Sequence, residues 1–426
     1  MTVGGSAPLR GRIRVPGDKS ISHRALLLAA LADGTSTIRG LAGGDDVHST
    51  RGVVADLGVA LDAGPDHLRV AGRGAGGLRE PERVLDCGNS GTTMRTAAGM
   101  LAGRPFLSVL SGDASLRSRP MRRVVEPLRA MGAQMDGRDD GDHAPLVVRG
   151  GDLRGASHAL QFASAQVKTS LLLAGLQADG VTEVVSPGPS RDHTERMLAA
   201  LGAAVEVEGT TVRVRAGTVA PFELDVPGDP SSAAFWCVAG TITPGSELTI
   251  ESVGLNPTRT GFVDVLRRMG AAIETVVTGE HLGELVGDLH VSAAPLVATT
   301  IGGDEIPLVQ DEVPVLAVAA AFADGVSQIT DAAELRVKES DRVDTVAALL
   351  TALGVGVETS ADGLAIRGGH PRAGRVESRG DHRIALAGAV AGHALDGATD
   401  VDDFGAASVS YPEFLVDLDA LTRTTR

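Results

Sequence analysis

Apolar stretches of helical length alternate along this chain with short strand-like runs, and a glycine marks most of the changes. Six apolar stretches end in the turns Asp33-Gly34, Ala102-Gly103, Asp179-Gly180, Pro244-Gly245, Asp324-Gly325 and Asp396-Gly397. A short strand pattern follows each: Ser36-Thr37-Ile38, Phe106-Leu107-Ser108, Glu183-Val184-Val185, Glu247-Leu248-Thr249-Ile250, Gln328-Ile329-Thr330 and Thr399-Asp400-Val401. A second helical stretch comes next and usually closes on Leu-Gly or Met-Gly, at Leu57-Gly58, Met131-Gly132, Leu201-Gly202, Met269-Gly270 and Leu353-Gly354; Tyr411 to Leu421 supplies the sixth. Two short strands follow most of these stops, as in Ala204–Val207 and Val212–Val214. The predicted unit is therefore helix, strand, helix, strand, strand, recurring roughly every 70 residues, a period that signals internal duplication.

Two Pro-Gly-Asp turns divide the six units into three and three. Val15-Pro16-Gly17-Asp18-Lys19-Ser20-Ile21-Ser22-His23-Arg24 has a partial copy in Val226-Pro227-Gly228-Asp229-Pro230-Ser231-Ser232. Each is an extended stretch, a turn, a polar cap and an apolar helix. The expected domains are residues 16–227, and 1–15 together with 228–426, with the opening strand Leu9 to Val15 joining the second. Two crossing strands would then form a hinge suited to closure.

Composition narrows the function. The chain has 426 residues, so two cores are the starting expectation, and 43% hydrophobic with 22% charged residues describes a folded globular protein. Aromatics are only 2% against 55 glycines, so base stacking has little to work with, and a net charge of −15 argues against a general nucleic-acid surface. A local cationic cleft remains compatible with that total. Cys87 and Cys237 permit one disulfide at most and read as buried free thiols. Met1 to Leu9 lacks the basic start and apolar run of a signal peptide, and the apolar run Val313 to Ala323 is too short to span a bilayer. A cytoplasmic protein with no membrane partner is expected.

The candidate chemistry sits at the starts of the first helix in each unit: Lys19-Ser20, Asn89-Ser90-Gly91-Thr92, Ser164-Ala165-Gln166, Asp229-Pro230-Ser231, Asp311-Glu312 and Asp381-His382-Arg383. Singly, most of these are ordinary caps. Lys19, Arg24 and Arg383 are not caps, and helix N-termini converging with cations would hold a multiply anionic ligand. Leu335 to Arg342 is expected to open the helix that runs to Leu353, with Arg342 and Glu339 in the apolar stripe and Lys338 at its edge. These three are read as projecting into a cleft mouth, the alternative being a local Glu339–Arg342 pair. Asp311 is open between cap and base, and Arg119 and Arg191 between exposed loop arginines and ligand contacts. Gly72-Arg73-Gly74-Ala75-Gly76-Gly77 fits no nucleotide fingerprint. No His/Glu spacing suggests a metal.

Together these stretches resemble the 5-enolpyruvylshikimate-3-phosphate synthase family from about Leu9 to Phe414. The resemblance is carried by Pro16 to Arg24, Gly88-Asn89-Ser90-Gly91-Thr92, Ser164-Ala165-Gln166-Val167-Lys168, Arg336 to Arg342 and Asp381-His382-Arg383, with Ala163–Gln166 and Ser190–His193 similar to the class II branch. It implies two inverse α/β domains, each of three βαβαββ units, with the active site in the cleft between them. It also implies transfer of the enolpyruvyl group of phosphoenolpyruvate to the 5-hydroxyl of shikimate 3-phosphate. By resemblance, Lys19, Ser20, Arg24, Ser164, Gln166, Arg191, Asp311 and Lys338 would hold shikimate 3-phosphate. Lys19, Gly91, Arg119, Gln166, Arg342 and Arg383 would hold phosphoenolpyruvate. Asp311 would take the hydroxyl proton, and Glu339 or Lys19 would handle the proton at C3. The resemblance implies no metal or organic cofactor, and a monomer is expected.

The chain departs from the family pattern at two places. Ser408-Val409-Ser410-Tyr411-Pro412 lacks a lysine that many relatives carry, and Glu334 stands where many have Asn. Gly91 keeps the small residue that can be alanine in glyphosate-tolerant class II relatives. One alternative is enolpyruvyl transfer to UDP-N-acetylglucosamine, whose enzyme usually shows Lys-Asn at Lys19-Ser20 and a cysteine in a mobile loop. Neither cysteine here lies between Arg117 and Arg123. Another is transfer to a specialised-metabolism alcohol. A non-catalytic anion-binding protein is a third, and Asp311 and Glu339 speak against it, because carboxylates weaken pure anion binding.

Overall fold

The computed structural model describes residues 1–423 of the chain. It comprises two compact units. The N-terminal unit is Gly17–Val226 with Glu280–Glu284, and the C-terminal unit is Met1–Pro16, Pro227–Gly279 and Leu285–Arg426, of which the last three residues lie outside the description. Each has its own apolar core, built mainly from Ala, Val and Leu.

Three helices head the repeats of the N-terminal unit: α1 (Lys19–Leu31), α2 (Gly91–Leu101) and α3 (Ala165–Gly175). Their counterparts in the C-terminal unit are α4 (Pro230–Ile242), α5 (Val313–Ala321) and α6 (His382–Ala394). Five start on a local signal. Asp18, Ser90, Ser164, Asp229 and Asp381 each accept a hydrogen bond from a backbone N–H of the first turn. Pro230 adds a fixed φ at the first position of α4, where no donor is needed. α1, α4 and α6 are buried over nearly their whole circumference, which is why their sequences lack a polar face.

Each N-terminal repeat has a four-stranded sheet in which one parallel pair is followed by antiparallel strands. In the second repeat the order is Leu85–Asp86, Leu107–Ser111, His143–Arg149, Gln134–Gly137. Leu85–Asp86 and Leu107–Ser111 flank α2 and pair in parallel, so the repeat is a βα crossover closed by a hairpin. The first repeat takes its parallel strand from the far end of the segment, with Glu223–Asp225 beside Asp33–Arg39. The strand before α1, Arg10–Ile13, pairs instead with Glu247–Gly254 in the C-terminal unit. The strands ahead of α1 and α4 are thus exchanged. Gly17 follows that first strand, and a Cβ there would overlap the Gly40 carbonyl oxygen.

The sixth repeat is short. Its sheet has three strands, Thr2–Gly4, Ala398–Asp402 and Arg375–Glu377, the first running antiparallel to the second. Nothing in Thr2-Val3-Gly4 signals a strand; the pairing is tertiary. Tyr411 precedes the last helix, Phe414–Arg423, and is buried against Trp236 and Phe414. Its hydroxyl donates to Asp417 Oδ2 at 2.7 Å and accepts from Trp236 Nε1 at 3.1 Å. The departed Ser408–Pro412 stretch therefore anchors an aromatic cluster. Cys87 and Cys237 are buried free thiols, and burial raises the pKa of both.

One predicted element needs correction. The helix expected from Leu335 starts only at Arg342 and runs to Ala352. Ala333–Val337 is a separate 3₁₀ turn, and Lys338, Glu339 and Ser340 lie in the link between the two. Asp341 sets the boundary by accepting from the N–H groups of Val343 (3.1 Å) and Asp344 (3.2 Å). The helical projection was valid for Arg342, which is buried, but not for Glu339 or Lys338.

Candidate active site

In the N-terminal unit, side-chain bonds tie the starts of α1, α2 and α3 together. Arg24 on α1 donates to Thr169 Oγ1 on α3 (2.8 Å), to Thr194 Oγ1 (2.7 Å) and to the Ser20 carbonyl (2.8 Å). Gln166 at the start of α3 donates to Thr92 Oγ1 on α2 (2.8 Å). Thr93 on α2 donates to the carbonyl of Asp46, whose carboxylate pairs with Lys19 Nζ at 3.1 Å. Arg191 reaches Ser20 Oγ at 3.3 Å.

Arg119 donates to Asn89 Oδ1 (2.6 Å) just ahead of α2. Arg95, one turn into that helix, donates to Gln166 Oε1 (2.7 Å). A Cβ on Gly91 would lie 2.7 Å from Arg95 Nη1 and 3.5 Å from Arg119 Nη1. The expected residues Lys19, Ser20, Gly91, Arg119, Gln166 and Arg191 thus gather at the linked helix starts, with Arg24 buried among them. Ser164 is there as the cap of α3. Arg95 and Asp46 were missed. Arg95 stands four residues after Gly91, the same-face spacing on a helix, which was the available signal. Burial drives the Arg24 pKa down to about 10, with Glu195 the leading opposing charge; it still leaves a cation at neutral pH. Lys168, also in the matching motif, is spent on a buried ion pair with Glu195 at 2.5 Å.

The C-terminal unit presents a different balance. Asp311 lies in the turn between the short helix Ile306–Val309 and α5, whose N-cap position is taken by Glu312. Arg342 Nη1 lies 3.3 Å from its Oδ1, Lys338 Nζ 3.9 Å from the same oxygen, and Arg383 Nη2 3.8 Å from Oδ2. Arg383 also donates to the Asp311 carbonyl at 2.8 Å. Arg342 is only 1% exposed and pairs with Asp381 at 2.9 Å and with Glu339 at 2.8 Å. Burial opposes its charge, but Glu339, Asp381 and Asp311 outweigh that cost and raise its pKa. Burial acts on Asp381 in the opposite sense to Arg342, and the arginine prevails and lowers its pKa. Asp311, Lys338, Glu339, Arg342 and Arg383 are therefore brought together. Glu334 is on the exposed side of the 3₁₀ turn.

So one unit offers cations on linked helix starts, and the other offers carboxylates interleaved with cations. Both sets of residues are carried by three-repeat α/β units. A family model described as EPSP synthase (3-phosphoshikimate 1-carboxyvinyltransferase) matches residues 3–418. A 3-phosphoshikimate 1-carboxyvinyltransferase from Gloeobacter violaceus is 56% identical over 411 residues, 95% of each chain. The solved EPSP synthase of Acinetobacter baumannii superposes with a TM-score of 0.90 at 39% identity, covering 98% of this chain and 97% of that one. The enolpyruvyl transferase NikO from Streptomyces tendae superposes with a TM-score of 0.80 at 18% identity over 99% and 96% of the chains, a likeness of fold alone. The chain belongs to the EPSP synthase family. Among the described residues no helix is long and apolar enough to cross a membrane.

Proposed function

We propose that the chain carries out its family's reaction with the residues assembled above. The substrates are shikimate 3-phosphate and phosphoenolpyruvate. The products are 5-enolpyruvylshikimate 3-phosphate and inorganic phosphate. Each substrate carries a phosphate and a carboxylate, which accounts for arginines and lysines at the site of a chain with net charge −15. Lys19, Ser20, Arg24, Ser164, Gln166, Arg191 and Lys338 bind shikimate 3-phosphate. Lys19, Gly91, Arg119, Gln166, Arg342 and Arg383 bind phosphoenolpyruvate.

In the addition step the 5-oxygen forms a bond to C2 of phosphoenolpyruvate. Its proton goes to Asp311, and C3 gains a proton from Glu339 or Lys19 to become a methyl group. In the elimination step the C2–O bond to phosphate breaks and C3 gives a proton back, so the roles of acid and base reverse. The observation that carries this reading is the Asp311 carboxylate set among Lys338, Arg342 and Arg383, with Arg342 nearest at 3.3 Å and the other two at 3.9 and 3.8 Å. A site built only to bind anions gains nothing from a carboxylate among its cations. Inorganic phosphate release should require both substrates and fall by about a hundredfold or more in Asp311→Asn, the range for removing a general base. Full activity in that variant would remove Asp311 from the chemistry. A cytoplasmic monomer is the setting we propose for it.

A further inference from the structure

Arg259 is a buried arginine that no anion-site argument uses. It lies ahead of the helix Gly261–Arg268, with a side chain only 2% exposed. Its Nη2 donates to Asp229 Oδ1 at 2.7 Å and to Ser231 Oγ at 3.0 Å. A serine hydroxyl has one proton. With Arg259 donating onto its oxygen, Ser231 directs that proton to Glu312 Oε1, the bond it makes in the structure. The same Glu312 oxygen is 3.7 Å from Arg383 Nη1. A relaxed guanidinium–carboxylate hydrogen bond is shorter, about 2.8 Å.

We propose that Arg259 and Ser231 are positioning residues that hold the Glu312 carboxylate back from Arg383. Arg259 fixes the direction of the Ser231 hydroxyl, and Ser231 anchors Glu312. Arg383 then keeps its guanidinium directed to the Asp311 carbonyl and to an incoming anion, and is not closed into a contact pair with Glu312. Removing the Ser231 hydroxyl lets Glu312 close onto Arg383 and compete with that anion. The inference rests on the assignment of Arg383 to phosphoenolpyruvate.

The test is steady-state kinetics on the full chain with both substrates varied. Ser231→Ala should raise the KM for phosphoenolpyruvate about tenfold, the scale of one charge-assisted hydrogen bond, and leave kcat and the KM for shikimate 3-phosphate within about twofold. Glu312→Gln removes the competing charge, so Ser231→Ala combined with Glu312→Gln should return the phosphoenolpyruvate KM to that of Glu312→Gln alone. A merely structural role for Ser231 predicts no such rescue. Arg259→Lys, which keeps the charge beside Asp229, should reproduce the selective KM rise if Ser231→Ala fails to fold. An unchanged phosphoenolpyruvate KM in the Ser231 variant, or no rescue in the double variant, overturns the inference. Arg383→Gln separates the two levels: if it leaves the phosphoenolpyruvate KM unaltered, the assignment of Arg383 falls and takes the inference with it.

Discussion

His23 lies one residue ahead of Arg24 on α1, is 1% exposed, and meets Thr50 Oγ1 at 2.6 Å through Nδ1. Burial pushes its pKa from 6.5 down to about 3, with Asp46 pulling it up and Lys19 and Arg24 pushing it further down. The unfolded chain therefore takes up a proton near pH 6.5 that the folded chain refuses until about pH 3. Stability contributed by the neutral form is present above pH 6.5 and is lost as pH falls through that window, by about 1.4 kcal/mol per pH unit. Urea midpoints of His23→Gln between pH 6.5 and 5 should fall less steeply than those of the parent chain, and parallel slopes would contradict this. Gly91 gives a second residue-scale prediction. A methyl group there would sit 2.7 Å from Arg95 Nη1, whose partner is Gln166, so the anion surface must shift. Gly91→Ala should raise the phosphoenolpyruvate KM about tenfold, the size of effect that small misplacements at a site produce. The parent chain, with glycine, should be inhibited by glyphosate and the variant much less; a parent curve flat to high glyphosate would reject the steric argument. Lys19 is legible as a candidate because a lysine is no helix cap, whereas Gly91 enters only through the family resemblance. Arg259, in the polar turn Asn256–Thr260, shows its buried partners only after folding, and Arg95 is marked in the sequence only by its spacing from Gly91.

At the scale of elements, the link before Arg342 is where sequence reasoning and structure part. The helical projection extends the stripe of the Arg342–Leu353 helix back over Lys338–Asp341, a polar run with no apolar period of its own, and the structure departs from the projection there. Capping chemistry decided it. Asp341 accepts two backbone N–H bonds and also meets Arg336 Nη1 at 2.7 Å, which folds the 3₁₀ turn back onto the helix start. Lys338 and Glu339 are held out on that link, and Arg342 Nη2 pins the Glu339 carboxylate at 2.8 Å. Asp341→Ala should cost about 1 kcal/mol from the cap alone. Its thermal midpoint should drop by a few degrees, measured by circular dichroism. Because the link also carries the proposed proton-handling Glu339, kcat should fall further than stability explains. An unchanged kcat beside a lowered midpoint would separate the cap from the chemistry. The repeat itself was legible throughout, because turn glycines and apolar helices are local. The exchange of the strands Arg10–Ile13 and Glu223–Asp225 was readable only from the duplicated Pro-Gly-Asp turns, and the strand Thr2–Gly4 left no local trace at all.

The whole molecule is two units with separate cores, and only one is nearly continuous in sequence. Gly17–Val226 carries all three N-terminal sheets, including the late strand Glu223–Asp225 that completes the first of them. The C-terminal unit needs Arg10–Ile13 and Thr2–Gly4 from the start of the chain to finish two of its sheets. Folding as an independent body is therefore a property expected of one unit and not of residues 227–426 alone. A fragment of residues 17–226 keeps its core, its helix caps and the Arg24–Thr169 and Gln166–Thr92 links. It loses Glu284, whose carboxylate meets buried His193 at 2.8 Å, so it should melt cooperatively but at a lower temperature than a fragment that retains that partner. It also keeps Lys19, Ser20, Arg24, Ser164, Gln166 and Arg191, and lacks Asp311 and Lys338. Calorimetric titration should then show shikimate 3-phosphate binding weakened by about tenfold to a hundredfold, the worth of one or two charged contacts, with no phosphate released in the presence of phosphoenolpyruvate. A cooperative melt without binding would move the shikimate 3-phosphate site to residues outside this segment. A broad melt with dye binding to exposed apolar surface would mean that the apparent core of the segment is not self-sufficient.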